Sequence, residues 1–209
     1  KRRLTCLEYD AFDLQTATLS NCQQGVPASP DINVRQSSTY DSVGRVSSQT
    51  DPNNHTISFV YDRLDRLVQL TDPLGHSTTT VYDGLGNILS VTDPISHATH
   101  FSYDQLNRQT ETLTDLGFRT SITYDRMGRV TGRTDANSIQ TWYAYDHLGR
   151  LTQVLENFSS VHPINDPANP DRNVQTTYTY DIAGNVLTIG LPGGTSVSYG
   201  YDHLNRRTQ

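Results

Sequence analysis

Three histidines, His55, His76 and His97, stand 21 residues apart, each six residues before a Tyr-Asp pair. A row of imidazoles suggests a metal site. Two rows of aspartates share the interval: Asp41, Asp62, Asp83, Asp104, Asp125 and Asp146 in one, Asp51, Asp72 and Asp93 in the other. Rows of carboxylates suggest calcium or the acid–base pair of a hydrolase. The interval decides against a shared ion. If each period supplies two strands, equivalent side chains lie about 10 Å apart. Zinc ligands sit ~2.0–2.1 Å from their ion, and calcium needs about six to eight oxygens converging on one point. Phe118 and Ile139 take the histidine slot in the next two repeats, so the slot reads as packing or surface cover. No metal and no cofactor are expected.

Catalysis would more naturally sit where the pattern breaks. Two insertions, at about 11–35 and 157–173, and the cluster Trp142-Tyr143-Ala144-Tyr145 are the breaks. The second insertion carries Asn157, His162, Pro163, Asp166, Pro167, Pro170 and Asp171, a polar, proline-rich composition expected of an exposed loop or contact surface. Trp142 is out of phase with Tyr143 and Tyr145 and is expected on the opposite sheet face, where it offers a platform for a sugar or a partner. Serine, cysteine and histidine do not cluster as a nucleophilic triad would require. Asn54-His55-Thr56 and Asn157-Phe158-Ser159 match the glycosylation sequon. Cys6 and Cys22 both sit around the first insertion. They read either as free or buried thiols or as a disulfide pinning that loop in an oxidising compartment.

The elements that must position these residues follow from the repeat. The pairs are Tyr9-Asp10, Tyr40-Asp41, Tyr61-Asp62, Tyr82-Asp83, Tyr103-Asp104, Tyr124-Asp125, Tyr145-Asp146, Tyr180-Asp181 and Tyr201-Asp202. Every step from Tyr40 to Tyr145 is 21 residues, as is the last; the exceptions are 31 and 35. A period of that size is one supersecondary unit stacked many times, no unit burying a core alone. Each repeat holds two turn signals. Asp72-Pro73-Leu74-Gly75 combines an aspartate that bonds its own backbone, a proline that fixes φ and a glycine that accepts the left-handed conformation. Asp51-Pro52 and Asp93-Pro94 repeat its start, and Asp115-Leu116-Gly117 and Asp135-Ala136-Asn137 are variants. In the Tyr-Asp turn the fourth residue after Tyr is Gly44, Asp65, Gly86, Asn107, Gly128, Gly149, Gly184 or Asn205, the types that reach positive φ at low cost. From Tyr40 onward the next slot is Arg or Asn, and Asp62 with Arg66 and its equivalents can pair across the turn.

Segments of about five to seven residues rich in Thr, Val, Ile, Leu and Tyr lie between the turns, which is strand composition at strand length. Tyr, its neighbour two residues before, and the aliphatics three and six residues after it are expected to form a common buried layer. Two strands and two turns per repeat favour an all-β array of antiparallel hairpins over a three-cornered parallel β-helix. A sheet of about 16–18 strands should curl or spiral, forming part of a hollow shell or tube.

Composition fits. A hydrophobic content of 34% with mean hydropathy −0.58 is lean for a globular core but adequate for a thin sheet. A net charge of −6 argues against a nucleic-acid partner. No apolar run approaches the ~18–20 residues of a membrane span, and no secretory signal is visible. Lys1-Arg2-Arg3-Leu4-Thr5 reads as the tail of a repeat and Asn205-Arg206-Arg207-Thr208-Gln209 as half of another. The expectation is therefore one array over 1–209, a piece of a longer chain.

Tyr-Asp-x-Leu-Gly-Arg-Leu followed by Thr-Asp-Pro-x-Gly closely resembles the YD repeats of the bacterial Rhs family, of Tc toxin shell subunits, of wall-associated toxins and of teneurins. The resemblance runs from about Tyr9 to the end. It implies a β-sheet ribbon spiralling into a hollow cocoon that, in toxin members, encloses a C-terminal cytotoxic domain. Partners would then be further repeats and an effector of the same chain, in a secreted or cell-surface bacterial protein without enzymatic activity in this segment. Members that cut themselves carry a distinct segment after the repeats. Asp72-Pro73-Leu74-Gly75 is superficially like part of it but lies mid-array and reads as an ordinary turn. The alternative is an extracellular adhesin or fibre-forming module that binds carbohydrate, a partner or copies of itself.

Overall fold

The computed structural model describes residues 4–29, 31–160, 164–165 and 168–208. Lys1-Arg2-Arg3, His162, Pro163, Asp166, Pro167 and Gln209 lie outside the described residues.

The chain is all-β and divides into two compact units, 1–99 and 100–209. The first contains β1 Thr5–Tyr9, β2 Gln15–Ser20, β3 Val34–Tyr40, β4 Val46–Thr50, β5 Thr56–Tyr61, β6 Leu67–Thr71, β7 Ser77–Tyr82 and β8 Ile88–Thr92. The division falls inside β9, Ala98–Tyr103. The second holds β10 Gln109–Thr114, β11 Arg119–Tyr124, β12 Val130–Thr134, β13 Gln140–Tyr145, β14 Leu151–Glu156, β15 Val174–Tyr180, β16 Val186–Gly190 and β17 Ser196–Ser198. Within each unit consecutive strands pair antiparallel, β1 to β8 and β10 to β17. The expected hairpin array is the observed one. No helix of the structure is long and apolar enough to cross a membrane.

Register slips by one residue at the Tyr of the pairs, between Val60 and Tyr61, Val81 and Tyr82, Thr123 and Tyr124, and at their equivalents. The cause is the turn that follows. The residue four after Tyr has positive φ: 86° at Gly44, 62° at Asp65, 59° at Asn107 and 86° at Gly128. A type I turn closed by such a residue leaves one extra residue on the outgoing strand.

The common buried layer is not found. Among the described residues, Ala17 and Leu155 are the buried hydrophobics. The tyrosines of the repeats from Tyr40 onward are half-buried, Tyr9 is exposed, and so are the plus-three aliphatics, Leu64 at 66%, Leu85 at 76% and Met127 at 73%. The physical reason is position: plus three is the third residue of the turn and projects beyond the hydrogen-bonded ladder. The first insertion is also shorter than expected. Gln15–Ser20 forms β2 despite its small polar residues, paired on both sides, so the loop itself spans 21–33.

Candidate functional site

Asp62 shows how each Tyr-Asp turn is built. Its Oδ1 accepts the backbone N–H of Leu64 (2.8 Å) and of Arg66 (3.0 Å), and its own N–H donates to the Arg66 carbonyl (2.9 Å). Asp41, Asp83, Asp104, Asp125, Asp146 and Asp202 repeat this set. Aspartate is needed because a short acceptor must fold back onto the N–H groups that the turn leaves unpaired.

The arginine then joins one repeat to the next. Arg129 Nε donates to Asp125 Oδ2 (2.6 Å), and its Nη1 donates to the carbonyl of Asp146, in the following turn (3.2 Å). Its guanidinium lies 4.6 Å from the centre of the Tyr145 ring, and the Tyr145 hydroxyl donates back to the Val130 carbonyl (2.8 Å). One planar fork thus serves a carboxylate, a carbonyl and an aromatic face, a combination lysine cannot copy. Arg45, Arg66 and Arg108 make the same clasp to Asp62 and Tyr61, Asp83 and Tyr82, and Asp125 and Tyr124. Arg150 reaches Asp181 (2.9 Å) and Tyr180 across the second insertion, so that loop leaves the ladder unbroken. Asparagine takes the arginine slot at two turns: Asn87 Nδ2 donates to Asp83 Oδ2 (2.8 Å), and Asn185 Nδ2 donates to Asp181 Oδ2 (2.8 Å) and to Asn205 Oδ1 (3.0 Å), while Tyr201 donates to the Val186 carbonyl (3.0 Å). Tyr40 likewise donates to the Gln15 carbonyl (2.7 Å).

These contacts set the charge state. The Arg108 side chain holds the Asp104 carboxyl below the usual carboxylate range, against partial burial that pushes it up. At Asp62 partial burial raises the pKa, and the Arg66 N–H and guanidinium outweigh it.

On the opposite turns the histidine row has a role other than packing. His55 Nδ1 lies 3.1 Å from Asp51 Oδ2 and His76 Nδ1 3.0 Å from Asp72 Oδ2, in the slot that arginine takes on the Tyr-Asp side. All three histidines of the row are more than half exposed. Each is bonded to its own turn rather than gathered with its neighbours. No group of three or more metal-binding side chains occurs among the described residues.

The two insertions follow one plan. In the first, Asn21 and Asn33 have positive φ, 52° and 54°, and Asn33 N–H donates to the Asn21 carbonyl (3.3 Å). Asn33 Oδ1 accepts the Gln23 N–H (2.7 Å), and its Nδ2 donates to the carbonyls of Gln23 and Val26 (3.0 and 2.6 Å). In the second, Asn157 and Asn173 have φ of 50° and 49°, and Asn173 N–H donates to the Asn157 carbonyl (3.1 Å). Asn173 Oδ1 accepts the Ser159 N–H and its Nδ2 donates to the Ser159 carbonyl, both at 2.7 Å. Asn21 Nδ2 donates to the Asp31 carbonyl and Asn157 Nδ2 to that of Asp171. Asn33 and Asn173 are the buried polar residues of the described chain. Their shared signal is Asp31-Ile32-Asn33-Val34 and Asp171-Arg172-Asn173-Val174, which reading by the 21-residue period alone passes over.

The base of each loop is stapled at the same place. Cys22 N–H donates to the Leu4 carbonyl, and Cys22 is disulfide-bonded to Cys6. Phe158 N–H donates to the Gln140 carbonyl, and its ring stands 5.6 Å from that of Trp142. Cys6 faces Leu19 across its hairpin as Trp142 faces Leu155. Trp142 is therefore the aromatic counterpart of a cysteine and half of a loop staple.

The teneurin YD-shell family model matches residues 9–162 and 100–206. This chain belongs to the teneurin YD-shell family. Solved toxin structures share its fold. The YD-shell chain aligns over 99% of its length with the Photorhabdus luminescens Tc holotoxin pore with mutant TccC3, at 18% identity and TM-score 0.60. It aligns over 97% with the crystal structure of TcdB2-TccC3, at 18% identity and TM-score 0.59, and over 98% with TcdB2-TccC3 lacking its hypervariable C-terminal region, at 19% and 0.59. In each case it spans 12% of the solved chain. No curated protein matches the chain in sequence.

Proposed function

We propose that this YD-shell segment is wall: a run of hairpins in a secreted or surface-delivered bacterial protein that encloses another part of the same polypeptide, without chemistry of its own. The repeat residues that hold it are the Tyr and Asp of each pair, including Tyr103 and Tyr201, with Gly44, Gly86, Gly128, Gly149 and Gly184 at the turns. The observation that carries the reading is the clasp. Within each unit it binds repeat to repeat by side-chain contacts at one hairpin end, through Arg45 and Arg66 in the first and Arg108, Arg129 and Arg150 in the second, so a wall can extend without a core. The fold likeness to TcdB2-TccC3, over 12% of that solved chain, supports it. The adhesive alternative would use Trp142, which packs against Phe158 on one side and stays 48% exposed. Electron microscopy of the full-length protein tests the proposal. A closed particle with internal density is expected; open filaments would overturn it.

A further inference from the structure

The first Tyr-Asp turn has the frame of the clasp without its cation. Asp10 Oδ1 accepts the N–H groups of Phe12 (2.9 Å) and Leu14 (3.0 Å), and the Asp10 N–H donates to the Leu14 carbonyl (2.9 Å). Asp13 closes the turn at a φ of 61°. Tyr40 is fixed by its hydroxyl to the Gln15 carbonyl, as Tyr180 is fixed to that of Leu151 beyond the second insertion. The slot that holds Arg45, Arg66, Arg108, Arg129 and Arg150 in five other turns holds Leu14 here. Its Cδ1 stands 3.8 Å from where a Cβ on Gly44 would lie, and the Nη1 atoms of Arg108 and Arg129 stand 3.8 and 3.7 Å from the same point of Gly128 and Gly149. Leucine thus reaches the next turn but brings a methyl group where arginine brings donors.

The acceptors of the fork remain in place. Among the described residues Asp10 Oδ2 has no partner, the Asp41 carbonyl receives only the Gly44 N–H (3.1 Å), and no cation stands over the Tyr40 ring. Asp10, Leu14, Tyr40, Asp41 and Gly44 together line a cavity of about 960 Å³. Phe12 and Val43 line it too and are largely exposed. The one charged base at the cavity, Arg35, is neutralised by Glu8 at 2.7 Å.

We propose that this cavity is a binding site for an alkylguanidinium, taking from another segment or another polypeptide the arginine side chain that the first turn lacks. The chemistry of the ligand is set five times over in the same molecule. Equivalent acceptors hold a guanidinium with Nη1 2.7–3.2 Å from the carbonyl of the next turn and its carbon 4.5–4.9 Å from the tyrosine ring centre. A planar fork serves the Asp10 carboxylate and the Asp41 carbonyl while its face lies on Tyr40; an ammonium lacks that shape. Phe12 and Val43 offer apolar surface to the methylene stem. Such a site stands independently of the enclosure proposed above.

NMR of the methyl-labelled full-length protein, titrated with acetyl-arginine amide, tests it. Saturable shifts of the Val43 and Leu14 methyl signals are expected, and none from the neutral citrulline analogue. Asp10→Asn keeps an Oδ1 for the turn and should weaken arginine binding at least tenfold. Leu14→Arg supplies the fork from within and should abolish the Val43 response. Circular dichroism checks that both variants fold. Equal shifts from citrulline, or a Val43 response that survives Leu14→Arg, would overturn the assignment. Where added arginine gives no shift, photo-crosslinking from position 43 decides. Capture of an arginine-bearing segment of the same chain supports the site and names its source; any other capture, or none, overturns it.

Discussion

The insertion loops at 21–33 and 157–173 solve one problem with different chemistry. Each hands the chain from one hairpin to the next through a long excursion. Each fixes the excursion with an asparagine that clamps the loop's own backbone, Gln23 for Asn33 and Ser159 for Asn173. At the base they diverge, the first closing with a covalent sulfur bridge and the second with Trp142 against Phe158. The clamp is thus the shared requirement, and the staple is exchangeable. An asparagine side chain is suited to the clamp because it both donates and accepts, mimicking a peptide group, and because it tolerates the positive φ of the position.

The comparison breaks most severely at the clamp. Asn173→Ala removes the side chain that holds both backbone groups of Ser159, and Asn33→Ala does the same at Gln23. Each should lower stability by about 3 kcal/mol, read as the urea midpoint of the full-length protein. Nearly equal losses would show that the clamps are equivalent. Reduction of Cys6–Cys22 comes next. Releasing a 16-residue crosslink should cost about 2–3 kcal/mol, with amide exchange rising around the first loop and not around the second. An equal rise in both would contradict independent staples.

Acid separates clamps from turns. Asp104 has a depressed folded pKa, with the Arg108 side chain as the largest cause, and Asp72 is held down first by the His76 N–H. Their contribution to stability is therefore present above the unfolded carboxylate pKa of about 4 and is lost as pH falls below it through the folded value. The asparagine clamps do not titrate. Below about pH 4, exchange protection at Leu106 and Arg108 should fail before that at Gln23 and Ser159. Smallest is Trp142→Ala, expected to lower stability by about 1 kcal/mol. The paired change Cys6→Trp with Cys22→Phe should recover part of what reduction removes.

Much of the fold could be read from the chain. The 21-residue interval gives two strands and two turns, and Gly, Asn or Asp four residues after Tyr marks the positive-φ closure. The buried layer could not be read correctly, because the plus-three leucines look like core in a list and lie beyond the ladder in space. Arg66 was legible as a partner for Asp62 but not as a link to Asp83 and Tyr82. That link spans 17 residues and depends on which strands are neighbours. Trp142 looked like an isolated surface ring because its equivalence to Cys6 appears only when the two hairpins are set in register. The asparagine clamps had a signal in plain view, Asp-x-Asn-Val before β3 and β15, though at a longer interval than the repeat.

The central claim is that the array is held by contacts between neighbouring repeats. Hydrogen exchange across the full-length Arg129→Lys variant tests it most directly, since lysine keeps the charge and loses the fork that reaches Asp125 and Asp146. The account predicts lost protection in the hairpins at Tyr124–Thr134 and Tyr145–Glu156 and unchanged protection beyond them, as nearest-neighbour stability requires. A uniform loss along the chain, or none at all, would contradict it.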